Sequence, residues 1–126
     1  MQRDDGPATP LRLTADTSEP TCPVVLVGGD LDFQTSGGLW VELERLIETG
    51  PGRLVIDTTA LRFVDSTGLS VIVRAWRACQ EAGILLTLRG VPAFLENILR
   101  ITGVAELLAR QPAPPDGLDA NRVPAG

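Results

Sequence analysis

Leu54-Val55-Ile56-Asp57-Thr58-Thr59-Ala60-Leu61-Arg62-Phe63-Val64-Asp65-Ser66-Thr67-Gly68-Leu69 fixes the class of fold. It opens on a short apolar run ending at a carboxylate, the pattern of a strand buried on both faces. It closes on Asp65-Ser66-Thr67-Gly68, after which apolar residues return at helical spacing. A buried strand, a loop, and a helix mouth with a hydroxyl beside a carboxylate describe a small α/β domain with one polar site.

Downstream, a helix is expected from Ser66 or Thr67, with Leu69, Ile72, Val73 and Trp76 as its apolar stripe and Gly83 as its stop. Ile84–Leu88 reads as another buried strand. A third helix starts at Val91-Pro92, with proline in its first turn, and ends at Thr102-Gly103. Val104–Arg110 fits either a short strand or a helical turn. Upstream, Leu11–Ala15 alternates as an edge strand does, and Val24–Val27 is a compact β-branched run suited to a central strand. Gly28-Gly29-Asp30-Leu31-Asp32 then reads as a turn carrying two acids. The first helix is expected from Thr35 or Ser36, either a suitable cap, with Leu39, Leu43, Leu46 and Ile47 inward and Gly50-Pro51 as its end. The strand Arg53–Asp57 follows, with Thr58-Thr59 after it.

The expected order is β-β-α-β-α-β-α in an α/β fold, and right-handed crossovers then require a parallel or mixed sheet. One domain spans residues 11–110. Residues 1–10 are polar and broken by Gly and Pro, and the sixteen residues from Gln111 hold four prolines and two glycines; both read as disordered segments.

Composition excludes much. Among 126 residues there is no His and no Tyr, and all eleven basic residues are Arg. Ser-His-Asp catalysis lacks its base, and Ser-Lys catalysis, Schiff-base chemistry and a P-loop lysine are likewise ruled out. Receiver-type phosphorylation of Asp57 is disfavoured because that chemistry pairs its acids with a lysine. The expectation is a protein that is not an enzyme and uses no metal or cofactor. The net charge is -5 and the pI about 4.6, so nucleic acid and anionic membranes are poor partners. With no long apolar span and no leader pattern, a cytoplasmic protein is expected. Cys22 and Cys79 lack metal-like spacing and read as small apolar side chains, with a disulfide as the alternative.

In open α/β sheets, function gathers where strands deliver their C-terminal ends into loops. Asp57 reads as such an end, Asp32 lies just past another, and Asp65-Ser66 opens a helix. The candidate surface is therefore Asp32, Asp57, Asp65, Ser66, Thr67 and Gly68. Plainer readings stand beside it: Ser66 as an N-cap, Asp57 as a carboxylate tied to loop amides, Asp30 and Asp32 as turn-formers, and Trp40 and Trp76 as core. A phosphate on Ser66 would add about -1.5 to -2 charge. The helix dipole favours it by roughly 0.3–1 kcal/mol. Each nearby acid at ~4–6 Å opposes it by roughly 3–4 kcal/mol before screening. Repulsion wins, and the modification turns binding off.

Phe63-Val64-Asp65-Ser66-Thr67-Gly68-Leu69 resembles the signature of the STAS domain found in bacterial anti-sigma factor antagonists. Gly29-Asp30-Leu31-Asp32 resembles that family's turn after the second strand, Leu54–Asp57 its apolar strand, and Leu99–Val104 the end of its third helix. The resemblance implies a mixed sheet with helices largely on one face. It implies that the bare protein binds an anti-sigma factor that is also a GHKL-type serine kinase, so releasing a sigma factor. It further implies that phosphorylation of Ser66, with Thr67 as a minor site, breaks the complex, and that a PP2C-type phosphatase restores it. Asp32 falls on the family's aspartate near the phosphosite. A STAS subunit without phosphoregulation, in a sensory assembly or a transport complex, is the alternative. Two features depart from the family pattern: a Pro-rich tail stands where a further helix is frequent, and lysine is absent.

Overall fold

The computed structural model describes residues 10–110; the expectations for residues 1–9 and 111–126 lie outside them. The strands are β1 (Arg12–Asp16), β2 (Val24–Leu31), β3 (Arg53–Val64) and β4 (Leu85–Arg89). The helices are α1 (Ser36–Glu48), α2 (Ser66–Ala82), α3 (Ala93–Thr102) and α4 (Val104–Ala109). The strands form one sheet in the order β1-β2-β3-β4. β1 runs antiparallel to β2, while β2, β3 and β4 are mutually parallel, so the sheet is mixed. The hairpin supplies the antiparallel edge, and α1 and α2 are the crossovers that parallel pairing requires.

Side-chain alternation sorts the sheet into two faces. Val25 and Val27 of β2, Leu54 and Ile56 of β3, and Leu86 of β4 point toward the helices. There they meet Leu39, Leu43 and Leu46 of α1, Val71, Ala75 and Cys79 of α2, and Leu95 and Leu99 of α3 in one buried cluster. Leu26, one step out of phase, is 40% exposed on the opposite face. Trp40 and Trp76 pack half-buried against the core. Cys22 and Cys79 are free thiols, and burial pushes the Cys79 thiol up to about 11.

Several elements differ from the sequence reading. β3 does not end at Asp57; it continues through Thr58-Thr59 to Val64. Gly28–Leu31 is not a turn but the second half of β2. The two corrections have one cause. The ladder between β2 and β3 shifts register between Leu26 and Gly28 and again between Gly29 and Asp30, so the glycine pair forms an irregularity within the strand. Gly29 takes φ 87°, and a Cβ at Gly28 would lie 3.0 Å from the Ala60 Cβ. β4 starts one residue later than expected and α3 starts at Ala93, with Pro92 at its cap. Val104–Ala109 is helical, which disposes of the strand alternative.

Candidate functional site

The parallel register pairs Leu31 with Val64, so β2 and β3 finish level with each other. The next residues, Asp32 and Asp65, leave the sheet side by side, and the Asp65 N–H donates to the Leu31 carbonyl at 3.1 Å. Asp65 is extended and caps α2: its Oδ1 accepts the Gly68 N–H at 2.8 Å. Its Oδ2 accepts the Phe33 N–H at 3.1 Å. One carboxylate thus ties the first turn of α2 to the loop that leads into α1. Gly68 lets the helix seat here, because a Cβ would lie 2.5 Å from the Leu31 carbonyl oxygen.

The cap on α2 is Asp65 and not Ser66. Ser66 is the first helical residue and Thr67 the second, and both are exposed. The role that would have occupied the serine hydroxyl belongs to its neighbour.

Asp32 is buried, 5% exposed, and its Oδ1 accepts the N–H groups of Gln34 at 3.0 Å and Thr35 at 3.1 Å. Thr35 stands at the cap position of α1 but makes no side-chain capping bond. Its hydroxyl instead accepts the Asp32 N–H at 2.9 Å and donates to the Asp30 carbonyl at 2.9 Å. Asp30 itself is buried in β2. The β2–α1 loop is therefore held closed by Asp32 and Thr35, with Phe33 projecting 69% exposed beside the α2 mouth.

The structure thus brings together Asp32, Asp65, Ser66, Thr67 and Gly68, and it does not bring Asp57 to them. Asp57 lies inside β3, eight residues before Asp65, which at roughly 3.3 Å per residue is more than about 20 Å along the strand. It accepts the Thr59 N–H at 2.9 Å and the Arg89 Nε–H at 2.9 Å, with Arg89 Nη2 also at 2.9 Å. Hydrogen bonds from Thr59, with the Arg89 guanidinium adding to them, hold its carboxyl below the usual range. The premise that Asp57 ends its strand is corrected with the strand itself. Arg89 is reached only through the β3–β4 register, which pairs it directly with Asp57.

Sequence reasoning missed Phe33 and Ile101, and read Thr35 only as a helix cap, not as the clasp of the β2–α1 loop. Ile101 is 73% exposed on α3, at the lip of a hollow that Asp65 and Ser66 also line. Its signal was present, since it falls outside the inner face of that helix. Among the described residues no three His, Cys, Asp or Glu side chains group to hold a metal ion. No helix among them is long and apolar enough to cross a membrane.

A mixed four-stranded sheet with helices on one face, and a carboxylate-capped helix mouth where its two central strands end, defines a STAS domain. The chain belongs to the family described as Mlab, STAS domain, whose model matches residues 14–109. The structure is similar to the crystal structure of an anti-sigma factor antagonist from Mycobacterium paratuberculosis, at 24% identity and TM-score 0.67, covering 90% of this chain and 95% of that one. It is similar to the Bacillus cell fate determinant SpoIIAA in its phosphorylated form, at 14% identity and TM-score 0.62, covering 75% of this chain and 86% of that one. It is also similar to a sulfate transporter family protein from Wolinella succinogenes, at 24% identity and TM-score 0.63, covering 70% and 71%. At these identities the likeness establishes the fold. No curated protein matches the chain.

Proposed function

We propose that this protein is a cytoplasmic anti-sigma factor antagonist that regulates transcription by partner switching. Bare, it binds an anti-sigma factor that is also a GHKL-type serine kinase, and a sigma factor is released. Phosphorylated on Ser66, it lets that partner go, and a PP2C-type phosphatase resets it. It performs no catalysis of its own. The observation that carries this reading is the exposed Ser66 at the first position of α2, its capping duty taken by Asp65 and the β2–α1 loop alongside. A kinase can reach that hydroxyl without unfolding the helix. The added charge then sits against Asp65, which repels it by more than the helix dipole attracts it. Thr67, also exposed, is the minor acceptor.

Incubation with a cognate kinase and ATP tests the assignment. Ser66→Ala is expected to abolish labelling, and Ser66→Asp to weaken partner binding by about tenfold or more, or ~1.4 kcal/mol. Labelling that persists in Ser66→Ala overturns the site.

A second reading is favoured by the likeness to the sulfate transporter family protein from Wolinella succinogenes. In it the same surface holds a constant partner in a transport or sensory assembly. A stable complex indifferent to Ser66→Asp is its signature.

A further inference from the structure

Ser66 stands on the shared lip of two surface hollows, one of which also carries arginines. Toward α3 lies a hollow of about 310 Å³ lined by Asp65, Ser66, Leu69, Ile98, Ile101 and Thr102. Along α2 lies a hollow of about 620 Å³ lined by Ser66, Leu69, Ser70, Val73, Arg74 and Arg77. Leu69 belongs to both, so the two are one continuous face. Its first half is largely apolar. Its second carries two guanidinium groups and no carboxylate, on a chain whose net charge is -5.

Two further observations single the face out. Among the described residues the large apolar side chains left exposed are Leu26, Phe33, Val41 and Ile101, and two of them flank the mouth of α2. Exposed apolar groups gathered around one polar spot mark an interaction surface. Arg74 is also held in place: its guanidinium lies 4.0 Å from the centroid of the Trp40 ring. A stacked guanidinium keeps its N–H edge for a carboxylate and loses less rotamer freedom on binding one.

We propose that this face takes an acidic amphipathic helix of a partner protein. Its apolar side chains enter the hollow formed by Leu69, Ile98 and Ile101, and its carboxylates pair with Arg74 and Arg77. The inference rests on the reading of Ser66 as the centre of a partner surface and names the chemistry of the occupant. It also sharpens the switch. A phosphate on Ser66, at the junction of the two hollows, places like charge midway along the path of an acidic helix.

The test uses the full chain, isotopically labelled, and a synthetic helical peptide of about 18 residues, ~27 Å long. One face of the peptide carries leucines over its first half and glutamates over its second. Amide shifts on titration are expected along Ser66–Arg77 and at Ile98–Thr102. Arg74→Glu with Arg77→Glu, and separately Ile101→Ser, are expected to weaken binding by about tenfold or more. A peptide with lysines in place of the glutamates is expected to bind the double arginine variant better than the original chain. Absence of binding, shifts confined to other surfaces, or indifference to the arginine reversal overturns the proposal. Peptide binding that follows Arg74, Arg77 and Ile101 but ignores Ser66→Asp leaves the docking face standing and removes the switch. Kinase labelling lost in Ser66→Ala, with no peptide binding, leaves the phosphosite and removes the face.

Discussion

A methyl group at Gly68 has nowhere to go. Its carbon would sit 2.5 Å from the Leu31 carbonyl oxygen and 2.8 Å from Leu31 Cγ, and the oxygen belongs to the ladder end that also receives the Asp65 N–H. Gly68→Ala is expected to destabilise the fold by about 1–3 kcal/mol through overpacking, read as a lower urea midpoint with an unchanged slope. Asp65 tests the other half of the contact. Asp65→Ala deletes the cap and the Phe33 bridge and is expected to cost about 1–2 kcal/mol. Asp65→Asn keeps one oxygen for the Gly68 N–H and is expected to cost less. At this scale the sequence located the site but not the division of labour within it. Asp65, Ser66 and Thr67 are all competent caps in a row. What selects Asp65 is the Leu31–Val64 pairing, a contact between residues far apart in the chain.

Among the elements, the helices were legible because their signal is internal: apolar residues at helical spacing show the buried face of α1 and of α2 without knowledge of the partner. The second half of β3 was not. Thr58-Thr59-Ala60 carries no alternation of its own and is a strand only because β2, past its paired glycines, lies alongside to bond it. The same reasoning ranks local stability. β2 and β3 are bonded on both sides along the sheet, whereas β1 is a five-residue edge and α4 has six residues with Val104 as its buried anchor. Native-state hydrogen exchange is expected to be slowest in Val25–Val27 and Leu54–Ile56. It is expected to be fastest in α4 and in the outward-facing amides of β1, at opening energies well below the global value. Protection of α4 equal to that of β3 would contradict this.

Across the whole molecule, stability and the candidate site occupy different places, and acid separates them. Asp57 joins β3 to the end of β4 through Arg89, far from the α2 mouth. Because Thr59 and Arg89 favour its charged form, its folded pKa lies below the unfolded value near 3.9. A depressed carboxyl adds stability at every pH above that unfolded value and loses it as pH falls through the folded one. Asp57→Asn is therefore expected to be less stable than the original chain at pH 7. It should lose stability less steeply below about pH 4, so that the two curves draw together at the acid end. Asp16, lowered chiefly by the Ser18 hydroxyl, titrates in the same window and keeps the slope from vanishing. Urea unfolding between neutral pH and the acid limb measures both curves. Partner binding near neutral pH is expected to be unchanged in Asp57→Asn, because the carboxylate it removes faces Arg89 and not the mouth where Ser66 stands. A variant that stays folded yet loses the partner would return Asp57 to the binding surface.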